Sequence, residues 1–241
     1  MQPADLRAKL RRIASAAQAS AAQRFFKTGP GEYGAGDRFI GVRVPQLRAL
    51  SKHAGALALP ALIELLSSPW HEERLLALLN MVSQSLQGGD GAQAAMRRLY
   101  LRYLRCVNNW DLVDSSAAQL LRPQRGFARA ALLRRLARSP ELWRRRVAVI
   151  ATFDDIRRDA PALALELCRK LLGDRHDLMH KACGWMLREA GKRDVALLRQ
   201  FLRRHAQRMP RTMLRYAIEH LPAGERQRIL AAPGIIGHRA G

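Results

Sequence analysis

The sequence predicts an all-α protein, built as a curved α-solenoid of HEAT-like two-helix repeats. Three observations predict it. Apolar residues recur at helical spacing through nearly every segment after residue 44. No alternating apolar and polar run is long enough to form a convincing strand. The starts of alternate long helices also fall into one column: "ERLLAL" at Arg74, "DSSAAQ" at Asp114, "RVAVIA" at Arg146, "KACGWM" at Lys181 and "RYAIEH" at Arg215, at steps of 40, 32, 35 and 34 residues. Such steps, with two helices in each, mark stacked α-hairpins in which equivalent positions line the same face. Four of the five column residues are basic, and the fifth is Asp114.

The elements follow in order. A first helix is predicted over 4–22. The irregular segment "KTGPGEYGAGDRFIGVRVP" then interrupts the pattern. Its Gly29, Gly31 and Gly34 have the spacing of a dinucleotide fingerprint, which requires a strand before it and a helix opening after it. Neither is present, so the segment is read as a glycine-rich surface loop near the basic face. Helices follow over 45–53, 59–67, 70–86, 91–106, 109–121, 127–138, 141–155, 160–173, 177–190, 194–206, 210–220 and 223–231. Short Gly, Pro, Asp or Ser breaks separate them, as between helices stacked in hairpins. The organisation expected is one domain over 1–241, with N-terminal helices and loop in 1–44, repeats in 45–231 and a tail in 232–241.

The 241 residues carry 42 Lys and Arg against 20 Asp and Glu, a net charge of +22. An excess of this size points to a polyanion, most simply nucleic acid, bound with strong salt dependence. All but six of the cations are arginine, whose fork suits phosphate. Cys106, Cys168 and Cys183 form no CxxC pair, so neither a disulfide framework nor a zinc site is indicated, and a reduced, intracellular setting is expected. "MQPADLRAKLRR" lacks the apolar segment of a secretory signal. "AGALALPALIELL", broken by Pro60, is too short to cross a bilayer.

Within residues 91–140 there are ten arginines and two acids, Asp111 and Asp114, both beside Trp110. Asn109 reads as an N-cap, which puts Asp111 in a first turn where the helix dipole favours a negative charge. Asp114 lies one turn beyond Trp110 on the same face. It reads equally as a functional carboxylate or as half of a salt bridge to Arg146 in the next repeat. Trp185 lies one turn beyond Lys181, on the column's face. Trp143 reads as packing between repeats and Trp70 as core or interhelical filler. His176 and His180 have the i, i+4 spacing of two zinc ligands, but Asp177 reads as a capping acid and no third ligand follows, so no metal is assigned. Ser115 and Ser116 read as residues that allow close helix packing.

Four motifs in order, "FIGVRVPQLR", "NNWDLVDSSA", "LWRRRVAVIATFDDIR" and "HDLMHKACGWMLREAGKRD", resemble the AlkD-like DNA alkylation-repair glycosylases. The likeness runs from about residue 20 to about residue 220. It implies a stack of HEAT-like repeats that hydrolyses the N-glycosidic bond of cationic N3- or N7-alkylated purines in duplex DNA. No cofactor is expected, and a monomer is expected because a solenoid wrapping DNA has no need of a dimer. It also implies Asp114 as the catalytic carboxylate, Trp110 and Trp185 as sugar-facing indoles, and Arg146 as a phosphate ligand. Arg48 matches a DNA-contacting basic position, and Lys181 and Arg215 continue the basic face. Arg43 departs from the pattern, which has an uncharged amide there. A cytoplasmic location, on the nucleoid when bound, follows from the substrate. Two other functions fit the fold class: a non-catalytic scaffold for distorted DNA or structured RNA, and a protein-binding adapter that the charge disfavours. Retention of Trp110, Asp114, Arg146 and Trp185 together favours the enzyme, because a scaffold gains nothing from a carboxylate that repels phosphate.

Overall fold

The computed structural model describes residues 1–124 and 127–231. The expected tail, 232–241, lies outside the described residues. Among the described residues the regular structure is helical, with one isolated parallel bridge between Arg38 and Trp70 and no strand. The chain forms two compact units, Met1–Leu120 and Leu121–Gly241. No described helix is long and apolar enough to cross a membrane.

The first unit holds α1 (Pro3–Arg12), α2 (Ala16–Phe25), α3 (Val44–Ala54), α4 (Leu59–Leu66), α5 (His71–Gln87), α6 (Asp90–Arg102), α7 (Trp110–Asp114) and α8 (Ala117–Leu120). The helix expected over 4–22 is two helices. The Ser15 side chain accepts the Gln18 amide at 3.3 Å and so caps a new start. Gly41, at φ +89°, packs into that break, where a Cβ would fall 2.1 Å from the Ser15 carbonyl oxygen; only glycine fits. Helix α5 is the hub against which α3, α4, α6, α7 and α8 pack. Leu75, Leu76, Leu78 and Met81 along it are fully buried, each worth about 1.5–3 kcal/mol relative to exposure.

The segment expected as one helix over 109–121 is also two. Ser116 Oγ donates to the Leu112 carbonyl at 2.6 Å and sits 3.2 Å from the Tyr100 hydroxyl. Back-bonding of this kind competes with the helical ladder and bends the chain. Residues 110–114 therefore stand as a five-residue helix of their own.

The second unit holds α9 (Arg129–Leu136), α10 (Leu142–Ile150), α11 (Phe153–Arg157), α12 (Ala162–Lys170), α13 (Asp177–Arg193), α14 (Val195–His205), α15 (Arg211–Ala217) and α16 (Ala223–Ala231). Thr152, whose hydroxyl donates to the Val149 carbonyl at 2.6 Å, divides the helix expected over 141–155. Helix α13 is the hub here, with α10, α11, α12, α14 and α15 around it. Buried Arg129 ties the unit's start together: Nη1 meets Asp155 Oδ2 at 2.7 Å, Nη2 donates to the Ala151 carbonyl at 2.6 Å, and Nε donates to the Leu121 carbonyl. Cys168 and Cys183 are buried free thiols.

Candidate active-site groove

The site begins with the loop between α2 and α3. Glu72, in the first turn of α5, accepts the amide protons of Ile40, Gly41 and Val42 at 2.9, 2.7 and 3.2 Å. Gly34 packs against the loop's own start, where a Cβ would lie 2.4 Å from the Phe26 carbonyl oxygen. So anchored, the loop delivers Arg43 to the N-cap of α3, and both Arg43 and Arg48 are exposed.

Beneath the loop lies a buried ionic cluster. Asp37 accepts from Arg74 Nη2 at 2.5 Å, from His71 Nδ1 at 2.8 Å and from Asn109 Nδ2 at 3.2 Å. The other His71 nitrogen, Nε2, donates to Asp111 Oδ2 at 2.8 Å. A carboxylate only accepts, so both ring nitrogens carry protons and the ring is an imidazolium. Burial alone would lower the His71 pKa, but hydrogen bonds and charge from Asp111 and Asp37 raise it to about 9. Burial would likewise raise Asp37, and His71 and Arg74 hold it below the usual carboxylate range.

A ladder of rings climbs from this cluster. Phe39 stacks on His71 with centroids 4.5 Å apart, Phe26 on Phe39 at 5.0 Å, and Trp110 on Phe26 at 5.2 Å. Phe25, 64% exposed, meets the Trp110 edge at 5.9 Å. These rings wall a groove of about 1400 Å³ that is also lined by Arg43, Arg48, Lys52 and Asp114. Asp114 is half-buried at the C-terminal end of α7, on the groove with Trp110. Burial raises the pKa of the Tyr100 hydroxyl, and the nearby Asp114 charge raises it further.

Four of the sequence-predicted residues, Trp110, Asp114, Arg43 and Arg48, thus line one groove in the first unit. The other four belong to the second unit. Arg146 is buried, and its Nη1 donates to the Leu178 carbonyl at 2.6 Å. Lys181 pairs with Asp177 one turn back at 2.8 Å. Trp185 is half-buried beside Phe153 and donates its indole N–H to Glu189 at 3.2 Å. Arg215 is exposed. Arg74, the first basic residue of the repeat column, lies in the cluster under the loop and not on a surface.

Other expectations need correction or detail. Trp70, read as core or filler, caps α5 and is 36% exposed. His176 caps α13 by accepting the Leu178 amide, and His180 bonds the Asp174 carbonyl. Among the described residues no three His, Cys, Asp or Glu side chains gather to hold a metal. Asp111 carries more than a dipole charge, being the carboxylate that meets His71.

Sequence reasoning missed Asp37, His71, Glu72, Phe26 and Phe39. The one available signal was "HEER", four ionisable residues opening a long helix ahead of its apolar run, all four of them buried in the fold.

A family model described as "DNA alkylation repair enzyme" matches residues 6–221. No curated protein matches the sequence. Among solved structures, one described as "Predicted DNA alkylation repair enzyme from Enterococcus faecalis" is similar in fold. Its TM-score is 0.64 at 14% identity, over 87% of this chain and 97% of that one.

Proposed function

We propose, because this chain belongs to the family of DNA alkylation repair enzymes, that it is a monofunctional DNA glycosylase. It hydrolyses the N-glycosidic bond of cationic N3- or N7-alkylated purines in duplex DNA. The observation that carries the reading is a carboxylate, Asp114, on the same groove as the Trp110 indole and the exposed cations Arg43 and Arg48.

The chemistry explains why an acid belongs in a groove built to attract phosphate. Alkylation at N3 or N7 makes the base a cationic leaving group, so no general acid need protonate it. As the bond breaks, positive charge develops on the deoxyribose. A carboxylate about 4 Å away, at an effective dielectric of about 20, interacts with that charge by roughly 4 kcal/mol. The face of Trp110, and that of Trp185 in the second unit, would add about 0.5–2 kcal/mol each through the ring quadrupole. Asp114 also orients the attacking water. Arg43, Arg48, Lys181 and Arg215 hold the duplex backbone, with Arg146 as a further phosphate ligand.

In this reading the helical pairs are HEAT-like repeats of a single domain. The protein acts as a monomer without a cofactor, in the cytoplasm and on the nucleoid when bound. Discrimination comes from the lability of the cationic lesion and from duplex deformation, and does not require the base to flip into a pocket.

The test is direct: incubate purified protein with randomly methylated DNA and identify the free bases released. N7-methylguanine and N3-methyladenine are expected, with the strand left intact at the abasic site. Tight binding of duplex without base release would instead make the protein a scaffold. The groove cations are checked separately. Arg48→Ala is expected to weaken duplex binding and reduce the slope of log K against log salt by about one. An unchanged slope removes Arg48 from the phosphate contacts.

A further inference from the structure

The helix that presents Trp110 and Asp114 has five residues, far fewer than a helix needs to persist by itself in water. Its placement depends on what its side chains grip. At its start, Asn109 Oδ1 accepts the Trp110 amide at 2.9 Å while Nδ2 donates to Asp37. One residue into the helix, Asp111 Oδ1 accepts the Leu112 amide at 2.8 Å while Oδ2 accepts from His71. His71 donates through its other nitrogen to the same Asp37 that holds Asn109. Both grips on the helix therefore converge on one buried imidazole and the carboxylate behind it.

We propose that His71 is a positioning residue: its ring, held between Asp37 and Asp111, fixes the Trp110–Asp114 helix so that indole and terminal carboxylate face the groove. The proposal rests on the reading that Trp110 and Asp114 serve base excision. The ring stack supports it independently of the hydrogen bonds. Phe39 and Phe26, which cover His71, carry the stack on which Trp110 lies, so the same imidazole backs both the helix and the indole face.

The four ionised side chains that pair with one another around His71 balance in charge, with Glu72 standing apart on backbone amides. Asp37 faces it from the loop and Asp111 from α7. From its own helix come Arg74, paired with Asp37, and Glu72, already engaged by three backbone amides. Arg74, His71, Asp37 and Asp111 sum to zero with His71 protonated and to −1 without the proton. A neutral ring donates through one nitrogen only, so one carboxylate would then face a lone pair inside the protein. A group whose folded pKa is raised contributes stability fully present below its ordinary value near 6.5, lost as pH rises through its folded value. For His71 that loss is centred at about 9.

The experiment uses the full chain with 5-fluorotryptophan at its four indoles, Trp70, Trp110, Trp143 and Trp185. Its ¹⁹F resonances are assigned by single Trp→Phe changes. The Trp110 signal is expected to shift as pH rises through about 9, and to lie at a different, pH-insensitive position in His71→Gln, while Trp185 of the second unit stays in place. A Trp110 signal indifferent to both pH and substitution overturns the proposal. If His71→Gln does not fold, the wild-type titration alone decides between these outcomes. On alkylated duplex, His71→Gln is expected to lose roughly 10²-fold in kcat, the scale of a misplacement of about 1 Å, with duplex affinity unchanged. An equal loss of affinity and rate would mean global damage and refute positioning. Failure of wild-type protein to release methylpurines would refute the glycosylase reading, while the fluorine signals still decide the role of His71.

Discussion

Replacing Asp114 with Asn is expected to abolish excision of N7-methylguanine while leaving duplex affinity equal or higher. The amide keeps the shape of the side chain and removes its charge, so the difference isolates electrostatics. If the roughly 4 kcal/mol of attraction between a carboxylate and the developing sugar cation arises fully in the transition state, its loss costs about three powers of ten in rate. In the ground state the same charge repels phosphate in a groove whose lining includes Arg43, Arg48 and Lys52, so binding is spared or improved. Single-turnover excision and fluorescence anisotropy on the same alkylated duplex measure the two quantities. Excision by Asp114→Asn at the wild-type rate would remove this residue from the mechanism. Weakened binding would show that the carboxylate is needed for the fold of the groove and not for its chemistry.

The second large effect lies away from the groove. Arg129→Leu is expected to destabilise the protein by about 3–5 kcal/mol, the usual consequence of deleting one partner of a buried ion pair. The change leaves Asp155 without its counter-charge and the Leu121 and Ala151 carbonyls without a donor. Thermal unfolding should record a fall of roughly 10 °C at neutral pH, given about 2–4 °C per kcal/mol for a chain of this size. The effect should also depend on pH. Burial already pushes the Asp155 carboxyl up, with the Arg129 hydrogen bond opposing it. Without Arg129 the carboxyl rises further, so the variant folds by taking up a proton, which lower pH supplies. The deficit against wild type should therefore be smaller at pH 5 than at pH 8. A deficit under 1 kcal/mol at both would mean that the Arg129–Asp155 ion pair contributes little.

Most helices were legible because their apolar stripes report directly on burial. α5 and α13, the two hubs, stand out in the sequence as long periodic runs. The interruptions after Ile13, at Ser115 and at Ala151 were not legible, although Ser15, Ser116 and Thr152 are visible as residue types. A hydroxyl ends a helix only where the fold lets it bond the backbone, and a serine inside an apolar run does not declare that. The face shared by Trp110 and Asp114 could be read from their spacing of four, which needs no tertiary knowledge. The cluster under them could not. Its members span Asp37 to Asp111, and composition treats each of them as surface. The basic column misled for the same reason in reverse. Arg74 has the charge of a DNA-facing residue and is buried against an aspartate.

Three consecutive amides converging on the Glu72 carboxylate form the kind of concave cradle that proteins use to capture phosphate or sulfate from solution. Here the cradle is plugged from within. A resident anion occupies it permanently, so free nucleotides and inorganic phosphate find no vacancy there despite the glycine-rich sequence. Any hold that residues 40–43 take on DNA falls to side chains such as the exposed guanidinium of Arg43, because the amides of Ile40, Gly41 and Val42 are already engaged.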